Sequence, residues 1–115
     1  MNLYAEAHNG ALFVRVGEER LDAAVAIRFK DQMREIAAQP GQRIVLDLGQ
    51  VEFLDSSGLG AIVSVMKALA PRKIELVALT PNVEKVFRLT RMDSVLKIHP
   101  TMKAALLNEG LRDVG

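Results

Sequence analysis

The stretch "VLDLGQVEFLDSSGLGAIV", residues 45–63, changes character twice. It continues a short, nearly unbroken apolar run, "RIVLDLG" (residues 43–49), of the kind that suits a central strand buried on both faces. A brief connector follows. Then Asp55, Ser56 and Ser57 stand together before Gly58-Leu59-Gly60, and a second apolar run begins. In that second run Leu59, Ile62, Val63, Met66 and Leu69 recur at helical steps, which predicts a helix over residues 56–69 with those five side chains toward the core. Strand, turn and helix in this order imply a crossover unit in a parallel sheet.

Outward from this unit the chain repeats the theme. "MNLYAEA" alternates and reads as an edge strand; Asn9-Gly10 is a hairpin turn signal, and "ALFVRVG" is the returning strand. Leu21, Val25, Phe29, Met33 and Ile36 mark a helix over residues 22–38, with Asp22 placed to cap it and "QPGQ" to stop it. After the central helix come "APRK" as a breaker and "IELVAL" as a strand. Residues 80–91 form a helix opened by Thr80 as cap and Pro81 at its first position, "VLKIH" a last short strand, and "PTMKAALLNEGL" a closing helix. The order is β-β-α-β-α-β-α-β-α: one α/β domain over residues 1–115, built on a mixed, mostly parallel sheet.

Composition narrows the function classes. Fifteen basic residues against fourteen acidic ones give a net charge of +1, with no electrostatic footprint for nucleic acid. Without cysteine there is no disulfide, no thiolate metal site and no Cys nucleophile. No apolar run approaches the roughly 18 to 20 residues that cross a bilayer, and the first residues lack a signal peptide's basic and apolar regions. The expectation is a cytoplasmic, globular protein without membrane insertion.

The turn at Asp55–Gly58 leaves the C-terminal end of a central strand, the usual functional edge of such a sheet. The first N–H groups of a helix lack intrahelical partners and carry partial positive charge, so an anion is at home there. Two explanations stand side by side. Asp55 or Ser56 is a plain helix cap, or a serine is presented to another protein. A cap needs one oxygen rather than three such residues, and glycines at 58 and 60 suggest a close approach to the backbone. Opposite the core stripe lie Ser57, Gly60, Ala61, Ser64 and Ala68, a smooth and uncharged face on which a partner can pack, where a solvated helix ordinarily carries Glu and Lys.

The same residues carry a resemblance. "VLDLGQVEFLDSSGLGAIV" resembles the signature of the STAS domain, the fold of the anti-sigma factor antagonists, and the likeness extends over essentially the whole chain, including Leu21-Asp22 and Thr80-Pro81. It implies a STAS-like single domain and a partner switch. The phosphorylated serine corresponds to Ser56, and Asp55 shapes the binding surface. The partner-binding residues are then Asp22, Asp55, Ser57, Gly58, Gly60, Ala61 and Ser64. The unmodified protein binds an anti-sigma factor that is also a serine protein kinase, releasing a sigma factor. Phosphorylation of Ser56 dismisses it, and a phosphatase restores it. Two departures, "GEERLD" at residues 17–22 and the short "APRK" link, touch loops rather than the fold. The alternative within the same family is an accessory subunit of a membrane transporter ATPase, without regulation by phosphorylation.

Other chemistry finds little support. His8 and His99 lack a third ligand pattern for a metal. Asp55-Ser56 has no Gly two residues before the serine, as a nucleophile elbow needs, and Gly58 and Gly60 lack the Lys-Ser/Thr of a P-loop. No catalytic residue and no cofactor is expected. Ile27 falls on the outer side of the first helix, where it is either incidental or a partner contact.

Overall fold

A computed structural model describes residues 1–39 and 43–107. In chain order the elements are β1 (Leu3–His8), β2 (Ala11–Val16), β3 (Arg20–Leu21), α1 (Ala26–Ile36), β4 (Arg43–Asp47), β5 (Phe53–Leu54), α2 (Ser56–Leu69), β6 (Lys73–Val77), α3 (Pro81–Leu89), a 3-10 turn (Met92–Ser94) and β7 (Lys97–His99). Residues 102–107 are helical. The "PGQ" of the first helix stop and the end of the closing helix lie outside the described residues.

Five strands form the main sheet in the order β1-β2-β4-β6-β7. β1 and β2 are antiparallel, joined by Asn9 and Gly10 with φ of 47° and 80°, the pair of positive values that a type I′ turn requires. The other pairs are parallel, with Ile44 of β4 beside Leu12 on one side and Ile74 on the other. β4 is buried on both faces along most of its length, as its apolar run foretold, whereas β1 is largely exposed at the edge.

Helices cover one face. Leu12, Val14, Ile44, Leu46 and Leu76 meet Phe29 and Met33 of α1, Ile62 and Val65 of α2, and Phe87 of α3 in one core. Phe29, Met33 and Phe87 are fully buried, each stabilising the fold by about 1.5–3 kcal/mol. The opposite face carries a smaller cluster, Val45, Val77 and Ala105, flanked by Phe13 and Met102. Beside it lies an ionic group. Arg43 Nε and Nη2 each donate to Glu75 at 2.6 Å, His99 Nε2 bonds Glu75 at 2.7 Å, and Arg43 Nη2 also donates to the Ala105 carbonyl. Burial pushes the Glu75 carboxyl up, but the bonds and charge of Arg43 and His99 outweigh it and hold its pKa at about 2. His99, weighed above as a metal ligand, is thus committed to Glu75.

Three local expectations are corrected. α1 begins at Ala26 rather than residue 22. Asp22 caps a preceding turn instead: its side chain accepts from Ala24 N–H at 3.1 Å, and its carbonyl accepts from Val25 and Ala26. Thr80 occupies the position before α3, but its hydroxyl donates to the Val51 carbonyl at 2.7 Å and bonds no N–H of the helix. Finally, β3 and β5 form a two-stranded parallel sheet where the sequence pattern predicts only loops.

Candidate functional site

The small sheet builds the site. Arg20 pairs with Phe53 and Leu21 with Leu54, while Glu52 and Phe53 donate their N–H groups to the Glu19 carbonyl. This brings the loop before α1 against the loop before α2. Leu21 and Leu54 point into the core, so the chain reaches Asp55 in a fixed direction.

Asp55 is the cap. Its backbone is extended, and its carboxylate accepts from Gly58 N–H at 2.9 Å, while its carbonyl accepts the first helical bond from Leu59. The cap explanation is therefore right for Asp55, and that frees the serines. Ser56 and Ser57 occupy the first two helical positions, both exposed, and neither hydroxyl is bonded to another described residue. Their N–H groups precede the first intrahelical bond, at the positive end of the helix dipole.

The two glycines have different reasons. A Cβ on Gly58 would collide with the Leu21 carbonyl oxygen and come within 2.8 Å of Leu54 Cδ1. The close approach inferred at Gly58 is thus made by the protein's own β3, and Gly58 is buried rather than offered to a partner. Gly60 is exposed, and an added Cβ there meets nothing within 4 Å.

The face of α2 also needs correction. Its buried residues are Gly58, Ala61, Ile62 and Val65, so Ala61, at 3% exposure, belongs to the core and not to the outer face. Of the expected core stripe, Leu59, Met66 and Leu69 are half-buried and pack against the core, while Val63 is half-buried outside that cluster. The fully buried stripe is offset by about one residue, onto the side on which Gly58 seats against β3. What remains outside is Ser56, Ser57, Gly60, Ser64, Lys67 and Ala68, still small and nearly uncharged.

Asp22 sits beside the first turn of α2, since Leu21 packs on Gly58. It pairs with Arg20 at 3.1 Å, and the Arg20 guanidinium lies 4.0 Å above the Phe53 ring. Arg20 and Phe53 were not singled out from the sequence. A two-residue strand shows no periodicity; the available signal was an aromatic residue just before Asp-Ser-Ser in an otherwise aromatic-poor chain. Phe53 is 40% exposed. Ile27 is 68% exposed on α1, as its place on the helix wheel predicted.

The STAS domain family model matches residues 2–105. An anti-sigma F factor antagonist from Paenibacillus polymyxa is 37% identical over 103 residues, 87% of this chain and 86% of its own. The crystal structure of an anti-sigma factor antagonist from Mycobacterium paratuberculosis superposes with a TM-score of 0.83 at 27% identity, covering 93% of this chain and 92% of that one. The Bacillus cell fate determinant SpoIIAA in its phosphorylated form superposes at 0.67 with 19% identity, over 93% and 98% of the two chains, a likeness of fold alone. Sequence, topology and these relatives agree, and the chain belongs to the STAS domain family, among the anti-sigma factor antagonists.

Proposed function

We propose that this protein is a partner switch in the cytoplasm. Unmodified, it binds an anti-sigma factor with serine kinase activity and so releases a sigma factor; phosphorylated on Ser56, it lets go, and a phosphatase restores it. It acts as ligand and kinase substrate rather than as an enzyme. The observation that carries the reading is the division of labour at the start of α2. Asp55 alone satisfies the helix cap, which leaves the Ser56 hydroxyl exposed and uncommitted at the first helical position. The anti-sigma factor antagonists among its relatives and the existence of a phosphorylated form of SpoIIAA support it.

The mechanism is local electrostatics. A phosphoryl group adds about −1.5 to −2 charges at neutral pH. The helix N-terminus accommodates that charge within this domain. A partner packed on the smooth outer face of α2 must instead desolvate it, with the Asp55 carboxylate close by. Binding is thereby biased without refolding the domain. The test compares unmodified and Ser56-phosphorylated protein in titrations against the anti-sigma kinase. At least a tenfold loss of affinity on phosphorylation is expected, about 1.4 kcal/mol. Equal affinities would contradict the switch.

A further inference from the structure

At the far end of α2, about 20 Å from Ser56 along the helix, lies a notch of about 450 Å³. The C-terminal end of α2, the link at Ala70–Pro71 and the beginnings of β6 and β7 enclose it. Its apolar wall is formed by half-buried Met66 and by Val95, 58% exposed, with Ile74 buried in the core behind them. Its rim carries Arg72, Lys73 and Lys97.

The charge here is out of keeping with a chain of net charge +1. Among the lining residues the sole carboxylate is Glu75, and its oxygens are held by Arg43 and His99. Arg72 is fixed in place, donating to the Ala37 carbonyl at 2.7 Å and to the Gln39 carbonyl at 2.9 Å. Lys73 and Lys97 are exposed and, among the described residues, pair with no carboxylate. β7 enters the sheet opposite Glu75, so among the described residues Lys73 and Ile74 of β6 pair with no strand on that side and turn strand edge toward the notch. Three cations and an apolar wall on rigid elements suit a dianion attached to an apolar body.

We propose that this notch binds a soluble organic phosphate, its apolar part on Met66 and Val95 and its phosphoryl group between Lys73 and Lys97. The concave shape selects a free molecule over a membrane surface. The site is independent of the role of Ser56, and its test does not involve the kinase.

Phenyl phosphate serves as probe, titrated into the full chain while backbone amide NMR shifts are followed. Saturable shifts at Lys73, Ile74, Val95 and Lys97 are expected, with affinity at least tenfold tighter than for inorganic phosphate and weaker at high salt. Lys73→Gln combined with Lys97→Gln is expected to lower that affinity at least tenfold. Lys85→Gln, an exposed change on α3, is expected to leave it unchanged. Phenyl phosphate binding no tighter than inorganic phosphate, or insensitive to the double substitution, would overturn the assignment. So would binding to phosphatidic acid vesicles without binding to phenyl phosphate in solution.

Discussion

Two glycines two residues apart in α2 do opposite things. Gly58 is required because the Leu21 carbonyl occupies the space of a side chain. Gly58→Ala must push α2 away from β3, and the obstacle is backbone, which cannot rotate aside. A loss of about 2 kcal/mol or more is expected, in the range of overpacking. Gly60→Ala meets nothing within 4 Å and should stabilise the helix by up to about 1 kcal/mol. Chemical denaturation of both variants checks the pair. If Gly60→Ala were the more damaging, the seat of α2 would be wrong. The sequence pointed to both positions but not to the difference between them. Spacing shows that a glycine is needed; only the tertiary neighbour shows for what.

At the scale of elements, most of the helices and strands were legible, because each has its own signal. The Asn9-Gly10 turn, the apolar run of β4 and the three-to-four spacing of α1 and α2 survive without tertiary information. What did not survive was set by contact between distant segments. β3 and β5 are two residues each and exist because they pair with one another. Asp22 was drawn from helix cap to turn cap, next to its ion pair with Arg20. The face of α2 was misjudged by about one residue, enough to put Ala61 outside when it is buried. That correction sharpens a prediction. Ser64→Arg, on the exposed side, should fold with stability within about 0.5 kcal/mol of the parent. It should nonetheless lose partner binding about thirtyfold, near 2 kcal/mol, as tight packing at an interface centre is broken. Ala61→Arg should fail at folding instead. Melting curves with kinase titrations separate the two. Wild-type affinity for Ser64→Arg would move the docking surface elsewhere, toward Arg20, Asp22 and Phe53.

At the scale of the whole molecule, one face of the sheet is held by a conventional apolar core and the other partly by ions. Glu75 is 2% exposed and bonded by Arg43 and His99. Its folded pKa of about 2 lies below the ordinary 4.5, so it binds its proton less readily when folded than when unfolded. Its contribution is therefore fully present above pH 4.5 and disappears as the pH falls toward 2. The shift corresponds to about 3 kcal/mol. Glu75→Gln should accordingly melt well below the parent at pH 7, and the gap should close between pH 4.5 and 2. A gap independent of pH over that range would mean that Glu75 contributes by packing alone. The charge of this cluster could not be read from sequence, because Arg43, Glu75 and His99 come from three strands and meet only through sheet register.

The proposed switch draws on the assembled domain: one fold places a cap, an exposed hydroxyl and a small, nearly uncharged face on the same helix. The most direct measurement is to incubate the protein with the anti-sigma kinase proposed as its partner and ATP, and to map the modified residue by mass spectrometry. Phosphate on Ser56 is the expected result, since its hydroxyl is exposed and Asp55 already caps the helix. Phosphate on Ser57 alone, or none with a competent kinase, would contradict the account.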